Sequence, residues 1–219
     1  MIKEDKGNTV VFRGCHIRRM RYYDFLEDHF ELFDKEICCG FEHHLHGREK
    51  GLEIIRKRII NLFSEYSDRT ILVLCPHCYY FLKNEYKFGN IFYIFQYLGN
   101  LPESTGVHIS VFSYFDPCYL TRYESMFDLS RFLLKKHVKG VYITSEREGL
   151  SSPCCGHPIS RKYPELALEI SKTTLLQYTA VDHLLTSCPR CIKFLSDNVK
   201  DAGLEIKIHD LTKIILEGI

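Results

Sequence analysis

The sequence predicts an α/β protein built as two tandem, pseudo-two-fold related domains, each a small, mostly parallel sheet with flanking helices. Three observations lead there. Apolar runs alternate with amphipathic segments along the chain, which is the signature of βαβ units. The ten cysteines fall in the order single, adjacent pair, CxxC, and that order occurs twice: Cys15, Cys38–Cys39, Cys75 and Cys78, then Cys118, Cys154–Cys155, Cys188 and Cys191. Finally, Gly, Pro and Ser break the pattern at "LGNLPESTG" (98 to 106), which sets the expected domains at 1–103 and 104–219.

Taken in order, "TVVFRGC" reads as a strand delivering Cys15, and "YYDFLEDHFELF" (22 to 33) as the helix after it. "REKGLEIIRKRIINLFSEY" is the helix following the first CCG, and "TILVLCPHCYYFLKNEY" reads as strand, turn, helix. The second half repeats the plan. "HISVFSYFDPC" is a strand ending at Cys118, "RYESMFDLSRFLLKKH" a helix, and "GVYITS" (140 to 145) a strand ahead of the second pair. "YPELALEISKTTLLQYTA" is the helix after it, "HLLTSCPRCIKFLSDNV" the second strand, turn and helix, and "LEIKIHD" with "LTKIILEGI" closes the chain. Ligands of parallel sheets sit beyond the carboxyl ends of the strands, and this reading puts the cysteines there.

Bulk properties narrow the function. With 219 residues and 45% hydrophobic content the chain can build a core without disulfide staples. Its ten cysteines therefore point to a reducing compartment and to metal chemistry. A charged N-terminus without an apolar segment and apolar runs no longer than "ILVLC" or "IFYIF" predict a cytoplasmic protein that does not span a membrane. A formal net charge of +1 gives no footprint for nucleic acid, although "RGCHIRRMR" is locally basic.

Adjacent cysteines bridge each other only through a strained ring, so each pair serves another purpose. Thiolates are soft ligands that select zinc, copper(I) or iron–sulfur clusters. Each half offers five, one more than tetrahedral zinc or an ordinary [4Fe–4S] cube uses. A CxxC at a helix start adds N–H donors and the positive end of the dipole, which suits an anionic cluster. Structural zinc with a spare cysteine is the competing reading. Thiol–disulfide exchange at CPHC and CPRC would leave six cysteines unexplained.

The stretches "RGC", "ICCG", "LVLCPHCYYFLK", "YFDPCYLTRYESMFDLSRFLL", "SPCCG" and "TSCPRCIKFL" resemble the cysteine-rich CCG-domain family. That family is represented by the catalytic B-type chain of heterodisulfide reductase and by iron–sulfur oxidoreductases of lactate and glycerol-3-phosphate oxidation. The resemblance covers nearly the whole chain as two tandem CCG domains. It implies two noncubane [4Fe–4S] clusters, one held by Cys15, Cys38, Cys39, Cys75 and Cys78, the other by Cys118, Cys154, Cys155, Cys188 and Cys191. The stretch from Cys15 to Cys38 is shorter than that from Cys118 to Cys154, so zinc or a different cluster is the alternative occupant of the N-terminal site.

The expected reaction is two-electron reductive cleavage of a disulfide of the CoM-S-S-CoB type, with an electron-relay protein and a zinc-stabilised scaffold as alternatives. The chain carries no GxGxxG or P-loop pattern for a nucleotide cofactor. It also lacks ferredoxin-type cysteine segments, so electrons are expected from a separate protein; the resemblance implies a ferredoxin-like subunit of the heterodisulfide reductase C type, with a flavin-containing A-like subunit as further company. His16, His77 and His157 adjoin ligand cysteines and titrate in the range needed to supply protons. Arg18, Arg19, Arg21, Arg161 and Arg190 are candidates for binding an anionic disulfide substrate. Tyr79, Tyr80, Phe115 and Tyr119 flank cysteines as candidate walls. The "HHLH" run (His43, His44, His46) is a candidate further metal site or a solvated loop.

Overall fold

The computed structural model describes residues 8–17, 20–33, 35, 37–102 and 106–218, without the side chain of His16. It divides into two compact units, Met1–Leu101 and Pro102–Ile219. Each is an α/β layer around one four-stranded sheet, and every strand pair is parallel.

In the N-terminal unit the strands are β1 (Thr9–Phe12), β2 (Glu31–Leu32), β3 (Thr70–Val73) and β4 (Ile91–Tyr93), in spatial order β2-β1-β3-β4. Their apolar residues are covered on both faces: Val10, Val11, Ile71, Leu72 and Val73 are fully buried. Two central parallel strands buried on both faces read as continuous apolar runs, which is why "TVVF" and "TILV" are legible as strands. Parallel pairing demands crossovers. The chain supplies them through α1 (Gly14–Ile17), α2 (Leu26–His29), α3 (Phe41–Leu45), α4 (Glu49–Ser64) and α5 (Pro76–Tyr80). A π-helical turn (Phe81–Glu85) extends α5, and α6 (Ile94–Leu98) follows β4. Helix α4 lays Ile59, Leu62 and Phe63 on the sheet and leaves Ile54 and Ile60 outside.

Residues 22–33, expected as one helix, are a 3-10 turn (Arg21–Tyr23), the single turn α2, and then the edge strand β2. The aromatic side chains decide this. Phe33 must reach Phe12 and Phe63, with ring centroids 5.5 and 5.1 Å away, and it does so with its N–H on Val11 O at 3.1 Å. Arg69 secures the strand end by a two-pronged contact to Glu31 at 2.6 and 2.7 Å. The edge strand β4 falls on "IFYIF", which the sequence pattern does not assign to a strand.

The C-terminal unit repeats the order as β6-β5-β7-β8, with β5 (Val107–Tyr114), β6 (Val138–Tyr142), β7 (His183–Thr186) and β8 (Lys207–Asp210). A π-helical turn (Tyr119–Tyr123) and α7 (Phe127–His137) link β5 to β6. Helices α8 (Pro164–Leu175), α9 (Pro189–Asn198) and α10 (Leu211–Glu217) complete the layers. The strand expected over 140–145 starts and stops earlier, because the Ser145 N–H turns out of the ladder to the Glu148 carboxylate at 3.1 Å.

Candidate metal centres

Both CxxC motifs have the same construction. Cys75 and Cys188 are extended N-cap residues at the ends of β3 and β7, and Pro76 and Pro189 take the first helical positions of α5 and α9. Proline suits that place because its missing N–H would have no partner there and its φ is already helical. The second cysteine of each motif then falls on the first turn, buried. Cys15 follows β1 on α1, and Cys118 follows β5 just before the π-turn. A Cβ built on Gly14 would stand 3.1 Å from Cys78 Sγ, so the turn carrying Cys15 lies directly over the CxxC sulfur. The order 2-1-3-4 in each sheet makes the β1/β3 and β5/β7 carboxyl ends the topological switch points, and the thiols gather there.

The CCG glycines have a conformational reason. Gly40 and Gly156 adopt φ of +93° and +92°, a region costly for any residue with a Cβ. Each turns its N–H back onto the first cysteine of its pair, Gly40 to Cys38 Sγ and Gly156 to Cys154 Sγ, both at 3.4 Å. Gly156 also packs without room for a methyl, since a Cβ there would meet the backbone Ala167 O at 2.4 Å, whereas one on Gly40 would meet the movable ends of Leu52 and Tyr86 at 2.8 Å. Tyr86 OH donates to Cys39 O at 2.9 Å, and Thr174 Oγ1 donates to Cys154 O at 2.9 Å.

All ten cysteines are free thiols. In the N-terminal unit side-chain hydrogen bonds run Cys15, Cys38, Cys39, Cys78, Cys75; in the C-terminal unit they run Cys118, Cys154, Cys155, Cys191, Cys188. The order is the same in both. Cys191 Sγ lies 3.4 Å from Cys155 Sγ. Hydrogen bonds from Cys15, Cys39 and Gly40 hold Cys38 well below the ordinary thiol range, and Cys118, Cys155 and Gly156 do the same for Cys154. The neighbours move the other way. Cys155 is pushed above the ordinary thiol range by its bond to Cys154, and Cys39, Cys78, Cys118 and Cys191 are raised by their sulfur partners and by burial. Five packed sulfurs cannot all ionise without a cation to share their charge, and binding one would displace the protons.

Among the described residues no group of three or more His, Cys, Asp or Glu side chains is already closed into a cage for a single ion. The sulfurs form a chain of neighbours instead. A donor set of five thiols, free of disulfides and linked in this way, fits an iron–sulfur cluster of several irons.

The other expected site residues scatter. His77 is buried with Nδ1 3.8 Å from Cys75 Sγ and its ring against Phe41. His157 is half-buried, opens the 3-10 turn after the second CCG, and meets Phe194 edge-on. Arg21 and Arg161 are exposed, whereas Arg190 is 4% exposed on the first turn of α9. Arg18, Arg19 and the His16 side chain lie outside the described residues. Tyr79 and Phe115 are core residues, while Tyr119 stacks on Tyr123 at 4.6 Å. In the HHLH run, His46 pairs with Glu42 at 3.3 Å. The sequence reading misses Asp116, Arg122, Arg131 and Glu148, whose contacts link the segments around Cys118 to residues 148–152; "DPC" and "LTRY" enter it as motif letters without a role. No helix among the described residues is long and apolar enough to cross a membrane.

The family profile of the cysteine-rich domain, CCG, matches residues 9–83 and 112–196. Among curated relatives, an EtfAB:quinone oxidoreductase of Syntrophomonas wolfei is 27% identical over 84% of this chain and 29% of its own length. The D-type chain of dihydromethanophenazine:CoB–CoM heterodisulfide reductase of Methanosarcina barkeri is 24% identical over 99% of this chain and 60% of its own. An uncharacterized iron–sulfur protein of Methanococcus maripaludis is 28% identical over 98% of this chain and 46% of its own. The chain thus spans less than two thirds of the length of each of these relatives. With two profile matches falling one on each sheet and each enclosing a full set of five cysteines, the chain belongs to the cysteine-rich CCG domain family.

Proposed function

We propose that the chain is the catalytic part of an iron–sulfur oxidoreductase that reductively cleaves a disulfide, in the manner of the B-type chain of heterodisulfide reductase. The observation carrying this reading is the pair of identically ordered five-thiol chains at the carboxyl edges of the two sheets. The heterodisulfide reductase named among the relatives supports a CoM-S-S-CoB type disulfide as the substrate class. The reaction takes R–S–S–R′, two electrons and two protons to two thiols: one S–S bond breaks and two S–H bonds form. Bound noncubane [4Fe–4S] clusters would supply one-electron chemistry at sulfur-ligated iron.

The chain's own residues supply the rest. The two sets of five cysteines hold the metal, and the Gly40 and Gly156 N–H groups donate to its ligand sulfurs. His77, enclosed and directed at Cys75, steadies that ligand. His157, half-buried beside Cys155, is the histidine placed to pass protons from solvent. Arg21 and Arg161, exposed, are the cations available to an anionic substrate, with Arg18 and Arg19 joining them by sequence position. Buried Arg190 is a fixed counter-charge between two ligand cysteines rather than a substrate handle. Electrons come from a ferredoxin-like subunit, with a flavin-containing subunit as further company, in the cytoplasm.

The test is iron, acid-labile sulfide and zinc per chain on anaerobically purified protein, with EPR after stepwise oxidation and an assay of thiol release from disulfides. About eight irons, a thiol-perturbed signal and thiol release are expected. Iron without thiol release from any disulfide would make the chain an electron relay, and the EtfAB:quinone oxidoreductase among its relatives favours that second reading. Zinc without iron would leave a scaffold, and zinc in the N-terminal site alone would leave one redox centre.

A further inference from the structure

In the C-terminal unit the segments that carry Cys118 and the Cys154–Cys155 pair are tied together by charge. Asp116, two residues ahead of Cys118, is 1% exposed. Its carboxylate accepts Arg131 Nη1 and Nη2 at 3.1 and 2.7 Å and the Gly149 N–H at 2.9 Å. Its backbone carbonyl accepts the Ser152 hydroxyl at 3.2 Å. Arg131 continues to Glu148 at 3.2 Å and lies over the Phe127 ring at 4.3 Å, which fixes the plane of the guanidinium. Glu148 in turn accepts the Tyr142 hydroxyl at 2.7 Å and the Ser145 N–H at 3.1 Å. Arg122, four residues past Cys118, donates to the carbonyls of Leu150 and Ser152.

The bonds of Asp116 to Gly149 and Ser152, of Arg131 to Glu148 and of Arg122 to Leu150 and Ser152 join the strand-and-turn that presents Cys118, or the helical segments after it, to residues 148–152, which run directly into Cys154, while Tyr142 and Ser145 anchor Glu148 itself. A buried carboxylate held by a forked guanidinium keeps its geometry, since losing either partner strands a charge out of water. The matching position of the N-terminal unit has the opposite charge: Arg13, two residues ahead of Cys15, pairs with Glu27 at 3.2 Å.

We propose that Asp116, Arg131 and Glu148 are positioning residues of the second metal site, presetting the loop that carries Cys154 and Cys155 against Cys118 before metal arrives. The proposal rests on the reading of Cys118, Cys154, Cys155, Cys188 and Cys191 as ligands. A preset loop lets the sulfurs receive metal without first bearing the ordering cost of the loop.

The test uses the full chain, made metal-free, in wild-type, D116N, R131K and E148Q forms. Amide hydrogen exchange is followed at 149–155, with β7 and β8 as internal references. Iron and sulfide uptake at the second site is followed by EPR in a C15S/C38S background, and cobalt(II) serves as a separate probe through its thiolate charge-transfer absorption. D116N and R131K should speed exchange at 149–155 at least tenfold while β7 and β8 keep their protection, slow iron uptake at least tenfold and alter the EPR line shape. E148Q should give the same pattern more weakly, because its partners Arg131 and Tyr142 can still reach one oxygen. Unchanged exchange in D116N would overturn the proposal. So would a loosened loop with wild-type uptake and EPR, since that marks a merely structural brace. If D116N loosens the whole unit, E148Q decides, and wild-type uptake by E148Q overturns the proposal. Failure of every form to take up iron sinks the iron–sulfur reading instead, and slowed cobalt loading in the variants still upholds the positioning role.

Discussion

Replacing Gly156 by alanine tests whether the glycine of the second CCG is required by conformation or by packing. Gly156 sits at φ +92°, and an added Cβ would stand 2.4 Å from Ala167 O on α8 and 3.1 Å from the Phe194 ring. Gly203 is the matched control, with φ +71° and nothing within 4 Å of the added atom. The left-handed backbone costs an alanine about 1–2 kcal/mol. Part of this, about 0.4–1 kcal/mol, is offset because alanine also restricts the unfolded chain. Gly203→Ala should therefore lose about 1 kcal/mol. In Gly156→Ala the methyl meets a backbone carbonyl that is fixed in a helix and cannot rotate away. Either α8 or the cysteine loop must retreat, which adds roughly 1–3 kcal/mol of overpacking and brings the expected loss to about 3 kcal/mol. Equilibrium urea unfolding of both variants, followed by far-UV circular dichroism, measures the difference, and iron content reports whether Cys154 and Cys155 still bind. If Gly156→Ala falls within about 0.5 kcal/mol of Gly203→Ala, the packing argument for the CCG glycine is refuted.

Three further outcomes follow from local geometry. Thr174 is buried and its hydroxyl donates to Cys154 O, so Thr174→Val should cost about 1–3 kcal/mol in urea unfolding by leaving that carbonyl unpaired, and should speed iron loss to a chelator. His183 Nδ1 and His209 Nε2 are 2.9 Å apart across β7 and β8, and burial holds His209 down to about 4, with the charges of His183 and Lys207 adding to it. The native state then refuses a proton that the unfolded chain takes near pH 6.5, so the contribution is full above that value and lost as pH falls toward 4. Allowing for partial exposure it amounts to about 2 kcal/mol, and the difference in stability between wild type and His209→Gln, measured at pH 7 and at pH 4.5, should shrink accordingly. Arg69→Lys should cost only about 0.5–1 kcal/mol, because the Glu31 side chain it grips is 57% exposed; a loss several times larger would show that the fork, and not the Phe33 packing, holds β2 on the sheet.

The repeat of single, pair and CxxC was legible because each thiol sits where local chemistry forces a decision. An apolar run ends, a proline starts a helix, and a glycine turns the chain, so Cys75, Cys188, Cys39 and Cys155 announce their own backbone. The strands buried on both faces were legible for the same reason. Edges were not. Residues 30–33 carry apolar side chains at spacings that serve a helix equally well, and only the demand of Phe33 for Phe12 and Phe63 draws them into β2. Burial of single charged residues was not legible either: Arg190 reads in "CPRC" as a cation for an anionic substrate, yet on α9 it is 4% exposed.

The Asp116 network shows the deeper limit. Its members stand 15 and 32 positions apart, with no periodicity linking them, and they meet only because β5, α7 and the loop before Cys154 converge at one strand end. The same topology operates in the N-terminal unit, where the equivalent residue is Arg13 and its partner Glu27, so the scaffold fixes the place of an ion pair but not its sign. Two sulfur chains of identical order thus lie beside backbone ends of opposite charge, Arg13 at one and Asp116 at the other. The thiols of both sites are set by turns and caps, whereas the ion pair next to the strand end has one sign in the first unit and the other in the second.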